Sequence, residues 1–182
     1  MNRGCLRRAS ICTKKIWQMI DRMFAPCSAL VMDFADPLAL APGHFLARGV
    51  WRHLAQLGAV AVPEYMPARG LRADLAALTN DGEIWIVECK SSLADFCADA
   101  KWQGYLDYCD RYFWAVDEAF PQEMLPEGAG LIIADGHDAA ILRAAPLDKL
   151  PATRRKSQTL KIARTAARRL HMALDPQGVA AF

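Results

Sequence analysis

The chain has 182 residues, 53% of them hydrophobic and 23% charged, with 22 Lys/Arg against 20 Asp/Glu for a net charge of +2. That length accommodates one domain with tails, and without a run of 18 uninterrupted apolar residues the sequence gives no sign of a transmembrane helix. The six cysteines (Cys5, Cys12, Cys27, Cys89, Cys97 and Cys109) include no Cys-x-x-Cys pair and no histidine at zinc-finger spacing, so reduced thiols are expected rather than a disulfide framework or a zinc module.

The small net charge hides a division. Residues 1–31 hold six Lys/Arg and one acid; residues 32–148 hold eight Lys/Arg and eighteen acids; residues 149–171 hold eight Lys/Arg and no acid. An acidic centre between basic ends fits a cation site flanked by phosphate-binding surfaces. The first 31 residues are basic, rich in Cys and Met and weakly periodic, and Gln18, Asp21 and Arg22 break their apolar stretch, so they make a poor signal peptide. They read as a basic extension, either disordered or upstream of a true start at Met23 or Met32. The expected organisation is an extension over 1–35, one domain over 36–175 and a short tail over 176–182, in the cytoplasm.

Across residues 42–57, Phe45, Leu46, Val50, Leu54 and Leu57 recur at helical spacing, and Gly58 stops the helix. A short strand is expected over 59–62. Pro63-Glu64 and Pro67-Ala68-Arg69-Gly70 then connect it to a hairpin. Glu64 is a candidate extra acid at any site on that hairpin; the alternative is a solvated loop residue.

The hairpin is the most informative part. Residues 71–78 are apolar apart from Arg72 and Asp74, and Glu83 to Val87 is rich in β-branched and aromatic residues. The intervening Thr79-Asn80-Asp81-Gly82 is a strong turn signal. A three-residue loop, Asn80-Asp81-Gly82, sets Thr79 opposite Glu83 and Asp74 opposite Glu88, on one face and with β-carbons roughly 4.5–5.5 Å apart. Lys90, two residues on, projects from the same face. Two carboxylates that close repel unless a proton or a cation neutralises them. Asp74, Glu88 and the Cys89 backbone carbonyl offer the oxygens that a hard cation such as Mg²⁺ prefers, and Lys90 would orient or activate water, or stabilise phosphate charge. The bland alternative is a solvated hairpin end, against which stand Ile84, Ile86 and Val87, too apolar for an exposed ribbon.

Ser91 or Ser92 caps the next expected helix, over 93–109, which places Lys101 and Tyr105 on one face and begins beside Lys90. Lys101 is a candidate phosphate contact on that account. A strand is expected over 111–116, an acidic loop over 117–127, and a second hairpin of residues 131–134 and 139–143 about a turn containing His137. The last element is a basic helix over 153–174. Leu160, Ala163, Ala167, Leu170 and Leu174 form its apolar stripe, while Arg154, Arg155, Lys156, Lys161, Arg164, Arg168 and Arg169 supply charge for a DNA contact. A membrane-surface role is disfavoured because no bulky aromatic lies on the apolar stripe.

The order helix, strand, strand, strand, helix, strand, with Asp on the second strand and Glu-x-Lys on the third, resembles the PD-(D/E)XK nuclease core. That is an α/β (α+β), restriction-endonuclease-like fold with a mixed central sheet flanked by helices, here extended by a C-terminal basic helix. A wider set of residues is similar to the MmcB family of bacterial DNA repair proteins. It comprises Arg72-Ala73-Asp74, Val87-Glu88-Cys89-Lys90-Ser91-Ser92, Ala94-Asp95-Phe96, Lys101-Trp102, Tyr105, Cys109-Asp110-Arg111-Tyr112, Gly130-Leu131-Ile132-Ile133-Ala134-Asp135 and Arg154-Arg155-Lys156. The resemblance implies a metal-dependent DNA endonuclease using Mg²⁺ or Mn²⁺, in which Asp74 and Glu88 hold metal and Lys90 is the catalytic lysine. Its implied partners are DNA and the error-prone repair machinery. Two departures are visible: Ala73 stands where a Pro is often found, and Lys101 precedes Tyr105 by four residues where RecB-type relatives carry Gln.

Overall fold

The computed structural model describes residues 42–99 and 101–177. The expected N-terminal extension and the last five residues, 178–182, lie outside the described residues. The elements are α1 (Pro42–Gln56), β1 (Val60–Tyr65), β2 (Ala73–Leu78), β3 (Ile84–Lys90), α2 (Leu93–Ala98), α3 (Gln103–Leu106), β4 (Arg111–Val116), β5 (Gly130–Ala134), β6 (Ala139–Arg143) and α4 (Ala152–Leu174). A single 3₁₀ turn, Gln122–Met124, interrupts the acidic loop between β4 and β5.

The strands form one six-stranded mixed sheet in the order β1-β2-β3-β4-β5-β6. β1, β2 and β3 are a meander of antiparallel strands; β3-β4 and β4-β5 are parallel; β5-β6 is an antiparallel hairpin. The first hairpin takes the register that its three-residue loop dictates. Leu75 faces Val87, Leu78 faces Ile84, and the Thr79 N–H donates to the Glu83 carbonyl at 3.0 Å. Gly82 adopts the positive φ of 78° that closes this loop.

Alternation along the strands builds two cores. On one face Leu75, Val87, Phe113 and Ile132 meet Leu46, Val50 and Leu54 of α1. Gly49 permits that approach: a β-carbon there would lie 2.1 Å from the Asp135 carbonyl oxygen. On the other face Ile84, Ile86, Tyr112, Trp114 and Val116 are covered by Phe96, Trp102 and Tyr105 from the α2–α3 segment and by Ile162 from α4.

Three expectations are corrected. The helix over 93–109 is two short helices, because Asp99 ends the first one. Its backbone is extended there, its N–H returns to the Phe96 carbonyl, and its Oδ1 accepts the Lys101 N–H at 3.0 Å. Pro63 and Glu64 are not a connection but part of β1, an edge strand that tolerates the missing proline N–H. Finally, α4 docks through Arg155, Gln158 and Ile162, and the Leu160–Leu174 stripe stays in solvent.

Candidate functional site

Asp74 and Glu88 sit where the β2–β3 hairpin opens. The regular ladder ends at the Leu75–Val87 pair, and one step further the Cys89 N–H donates to Asp74 Oδ2 at 2.7 Å. A strand residue directs its N–H and its C=O to the same edge, so the Cys89 carbonyl also faces the Asp74 side. The Cys89 thiol is buried on the opposite face, among the α1 contacts.

Glu88 and Lys90 are only 4% and 6% exposed. Lys90 Nζ lies 2.8 Å from Asp99 Oδ2 and 3.6 Å from Glu88 Oε2, and 5.7 Å from the centre of the Trp114 ring. Burial alone would pull the lysine pKa down. The hydrogen bond from Asp99 and the charges of Glu88, Asp99 and Asp95 outweigh it, and the net shift is upward. Lys90 is therefore a held cation. The carboxyls also move up from their usual range: burial, followed by the charge of Asp74, pushes Glu88 up to about 8. Burial also raises Asp74, against the opposing Cys89 hydrogen bond and the Lys90 charge.

Glu64 stands opposite Asp74 in the β1–β2 register, between the Pro63–Leu75 and Tyr65–Ala73 pairs. It adopts a positive φ of 47°, strained for a residue with a β-carbon. Its carboxylate pairs with Arg72 at 2.9 Å and adds to the repulsion felt by Asp74. Arg169 of α4 donates to the carbonyls of both Pro63 and Glu64, bracing the bend from below. Tyr105 is brought in from α3. Its hydroxyl donates to the Arg72 carbonyl at 2.8 Å, and burial followed by the Glu88 charge pushes its pKa up. Lys101 is not brought in: it lies exposed at the break between α2 and α3, with no side-chain partner among the described residues.

The basic helix divides into anchors and free cations. Arg155 pairs with Asp110 (2.5 and 2.8 Å), Arg154 with Asp107 (3.2 Å), and Lys161 donates to the Pro67 carbonyl at 3.1 Å. These three hold the fold together. Lys156, Arg164 and Arg168 are exposed and have no ion-pair or hydrogen-bond partner among the described residues.

Two important residues escaped the sequence reading. Asp99 falls inside the helix expected over 93–109, and at the break in that helix it meets Lys90. Asp110 is 1% exposed and accepts the Ile84 N–H at 2.7 Å, the Leu150 N–H at 2.9 Å and both Arg155 contacts, tying β3, β4 and α4 together. Its one signal is an acid in an apolar stretch followed by Arg.

The donor set was tested against a divalent cation. Glu88 Oε1 is buried without a hydrogen-bond partner, two acids share a desolvated corner, and the Cys89 carbonyl faces the same edge. Those oxygens suit a hard cation that keeps several waters. Among the described residues no closed set of three His, Cys, Asp or Glu side chains is gathered, so such an ion would rest on two carboxylates and backbone.

The fold and site define a mixed α/β domain with an acid–acid–lysine cluster, Glu88 and Lys90 buried and Asp74 half-buried, where the interior strands β2 and β3 part. A family model described as "DNA repair protein MmcB-like" matches residues 42–177, and the chain belongs to that family. A solved structure titled "SPO1766 protein of unknown function", from Silicibacter pomeroyi, is 59% identical, with a TM-score of 0.77 over 79% of this chain and 99% of that one. No curated protein matches. Among the described residues no helix is long and apolar enough to cross a membrane.

Proposed function

We propose that the chain is a DNA endonuclease of PD-(D/E)XK type that serves DNA repair and depends on Mg²⁺ or Mn²⁺. The observation that carries this reading is Asp74, one step past the last β2–β3 pair, close enough to Glu88 and Lys90 for their charges to act on one another, with Lys90 buried beside Glu88. Asp74, Glu88 and the Cys89 carbonyl would hold the ion. When bound, such an ion makes a coordinated water acidic and neutralises charge on the scissile phosphate.

The chain's own residues supply the rest. Lys90, fixed by Asp99, keeps a positive charge at the carboxylates whatever the pH within the physiological range. Tyr105 fixes the Arg72 backbone beside them and closes the site on the α3 side. Lys156, Arg164 and Arg168 are the free cations of α4 and hold the phosphate backbone, whereas Arg154, Arg155 and Lys161 act on it through the fold alone. Glu64 bears on the site through the charge of Asp74 and through its strained turn.

The test is nicking of plasmid, flapped and branched DNA with Mg²⁺ or Mn²⁺, with chelator as control. Cleavage is expected with either metal and is expected to fall by at least about a hundredfold in Asp74→Ala and Lys90→Ala. Cleavage unaffected by both substitutions, or no cleavage of any substrate, overturns the reading. One observation favours a second reading, a nuclease-fold module that binds DNA without turnover: Lys90 is saturated by Asp99 and Glu88 rather than pointing into open space. Calorimetry separates the two, because the module binds DNA without binding Mg²⁺ or Mn²⁺ at millimolar concentration.

A further inference from the structure

The α4 stripe that the fold leaves uncovered has a defined geometry. Leu160, Ala163, Ala167, Leu170 and Leu174 follow one another at steps of three, four, three and four residues, the spacing of a coiled-coil seam. Leu160, Leu170 and Leu174 are 55%, 56% and 66% exposed, so the seam is apolar and wet. At about 100° per residue the seam lies roughly a third of a turn from the docked line of Gln158, Ile162 and Arg169. Packing on the sheet therefore leaves it accessible. At its N-terminal end, next to Leu160, an apolar depression of about 400 Å³ opens between Leu150, Ala152, Thr159 and the stem of Arg155. It is large enough to take one bulky side chain.

Charge says what covers the seam. Lys156 stands one turn before Leu160 and Arg164 one turn after it, and residues 149–174 contain no acid. A second copy of the chain would set one basic seam against another, and like charges beside a helical seam destabilise it. The first 31 residues of the chain are basic too, with six Lys/Arg against one acid. A nucleic acid gains nothing from three leucines. A lipid surface would call for aromatic residues that the seam lacks. We propose that this face docks an acidic amphipathic helix of another protein, which lays its apolar side on Leu160, Leu170 and Leu174 and one bulky residue in the depression. The proposal does not need nuclease activity, although Lys156 and Arg164 are also the cations given above to DNA, so an acidic helix and DNA would compete for them.

The experiment uses the full 182-residue chain and two fluorescent 21-residue helical peptides. Both carry Leu at the two seam positions of each heptad; one has Glu and the other Lys at the flanking positions. The Glu peptide is expected to bind saturably, to weaken as salt is raised, and to weaken about tenfold in Leu160→Glu and in Leu170→Glu. Because both leucines are exposed, these variants keep the parent's circular dichroism and melting curve. Equal binding of the Lys peptide overturns the proposal, and so does no binding of either peptide. It is also overturned if sedimentation reveals a dimer that Leu170→Glu dissolves. Exclusive, Leu170-dependent binding to phosphatidylserine vesicles overturns it in favour of a membrane.

Discussion

Replacing Glu88 with Gln isolates the electrostatic tension of the site from its chemistry. In the unfolded chain Glu88 releases its proton near 4.5; in the fold it does so at about 8. Between those values the folded protein retains a proton that the unfolded chain has lost, so stability falls as pH rises across that window and stays low above it. The shift of about 3.5 pH units corresponds to roughly 4–5 kcal/mol at its upper limit. Sharing of the proton with Asp74 reduces the expected loss to about 2–3 kcal/mol. Glu88→Gln removes that loss. A buried amide with an unmet partner costs about 1–3 kcal/mol at every pH, so the absolute stability of the variant is less telling than its slope. Urea unfolding with chelator present, at intervals from pH 5 to pH 9, should show the variant gaining on the parent by about 2–3 kcal/mol, mostly between pH 5 and pH 8. Divalent metal should stabilise the parent at pH 8 and leave the variant nearly unchanged. Parallel pH curves for parent and variant, or a variant that loses ground as pH rises, would refute the reasoning.

Two further expectations concern the frame around the site. Arg155→Met leaves the Asp110 carboxylate buried without its cation and should cost about 3–5 kcal/mol in urea unfolding, while Asp110→Asn combined with Arg155→Met should recover part of that loss. Gly49→Ala forces a methyl group to 2.1 Å from the Asp135 carbonyl oxygen, so α1 must lift from the β5–β6 turn. A fall in stability of about 1–3 kcal/mol is expected, read as a lower melting temperature.

Local rules made the hairpin legible. Asn80-Asp81-Gly82 favours a three-residue loop over a two-residue one, with glycine in the left-handed position, and the three-residue length that occurs sets the register of β2 on β3. Asp74, Glu88 and Lys90 therefore fell onto one face before any tertiary contact was known. The rest depended on contacts that pattern does not encode. The serine cap and the shared face of Lys101 and Tyr105 suit a continuous helix, yet Phe96 and Tyr105, nine residues apart, would stand on opposite faces of one, and here both pack on one core. At the break the Asp99 carboxylate pairs with Lys90 on β3, a contact between elements that no periodicity in the sequence encodes. The terminal helix misled for the opposite reason. Its most regular apolar stripe faces solvent, because its docking is chiefly polar: Arg155 on Asp110, Gln158 on Tyr65, Arg169 on the Pro63 and Glu64 carbonyls.

That polar docking explains why the charges of this domain are arranged as they are. An acidic centre and a basic end would attract diffusely in any fold, but here the attraction is spent on particular buried groups. Arg155 neutralises Asp110, and Arg169 satisfies the carbonyls of a strained turn whose carboxylate crowds Asp74. Among the described residues Lys90 is the cation drawn into the acidic corner, and it is held by two acids at once. Asp74 and Glu88 are left with raised proton affinity, and Glu88 keeps an oxygen without a hydrogen-bond donor. If the fold needed only internal balance, a second basic residue of α4 could have closed that corner as Arg155 closes the one at Asp110. Two desolvated acids with one lysine are a costly arrangement for a protein that binds nothing there, and under the proposed metal-dependent reading a divalent cation would offset that cost.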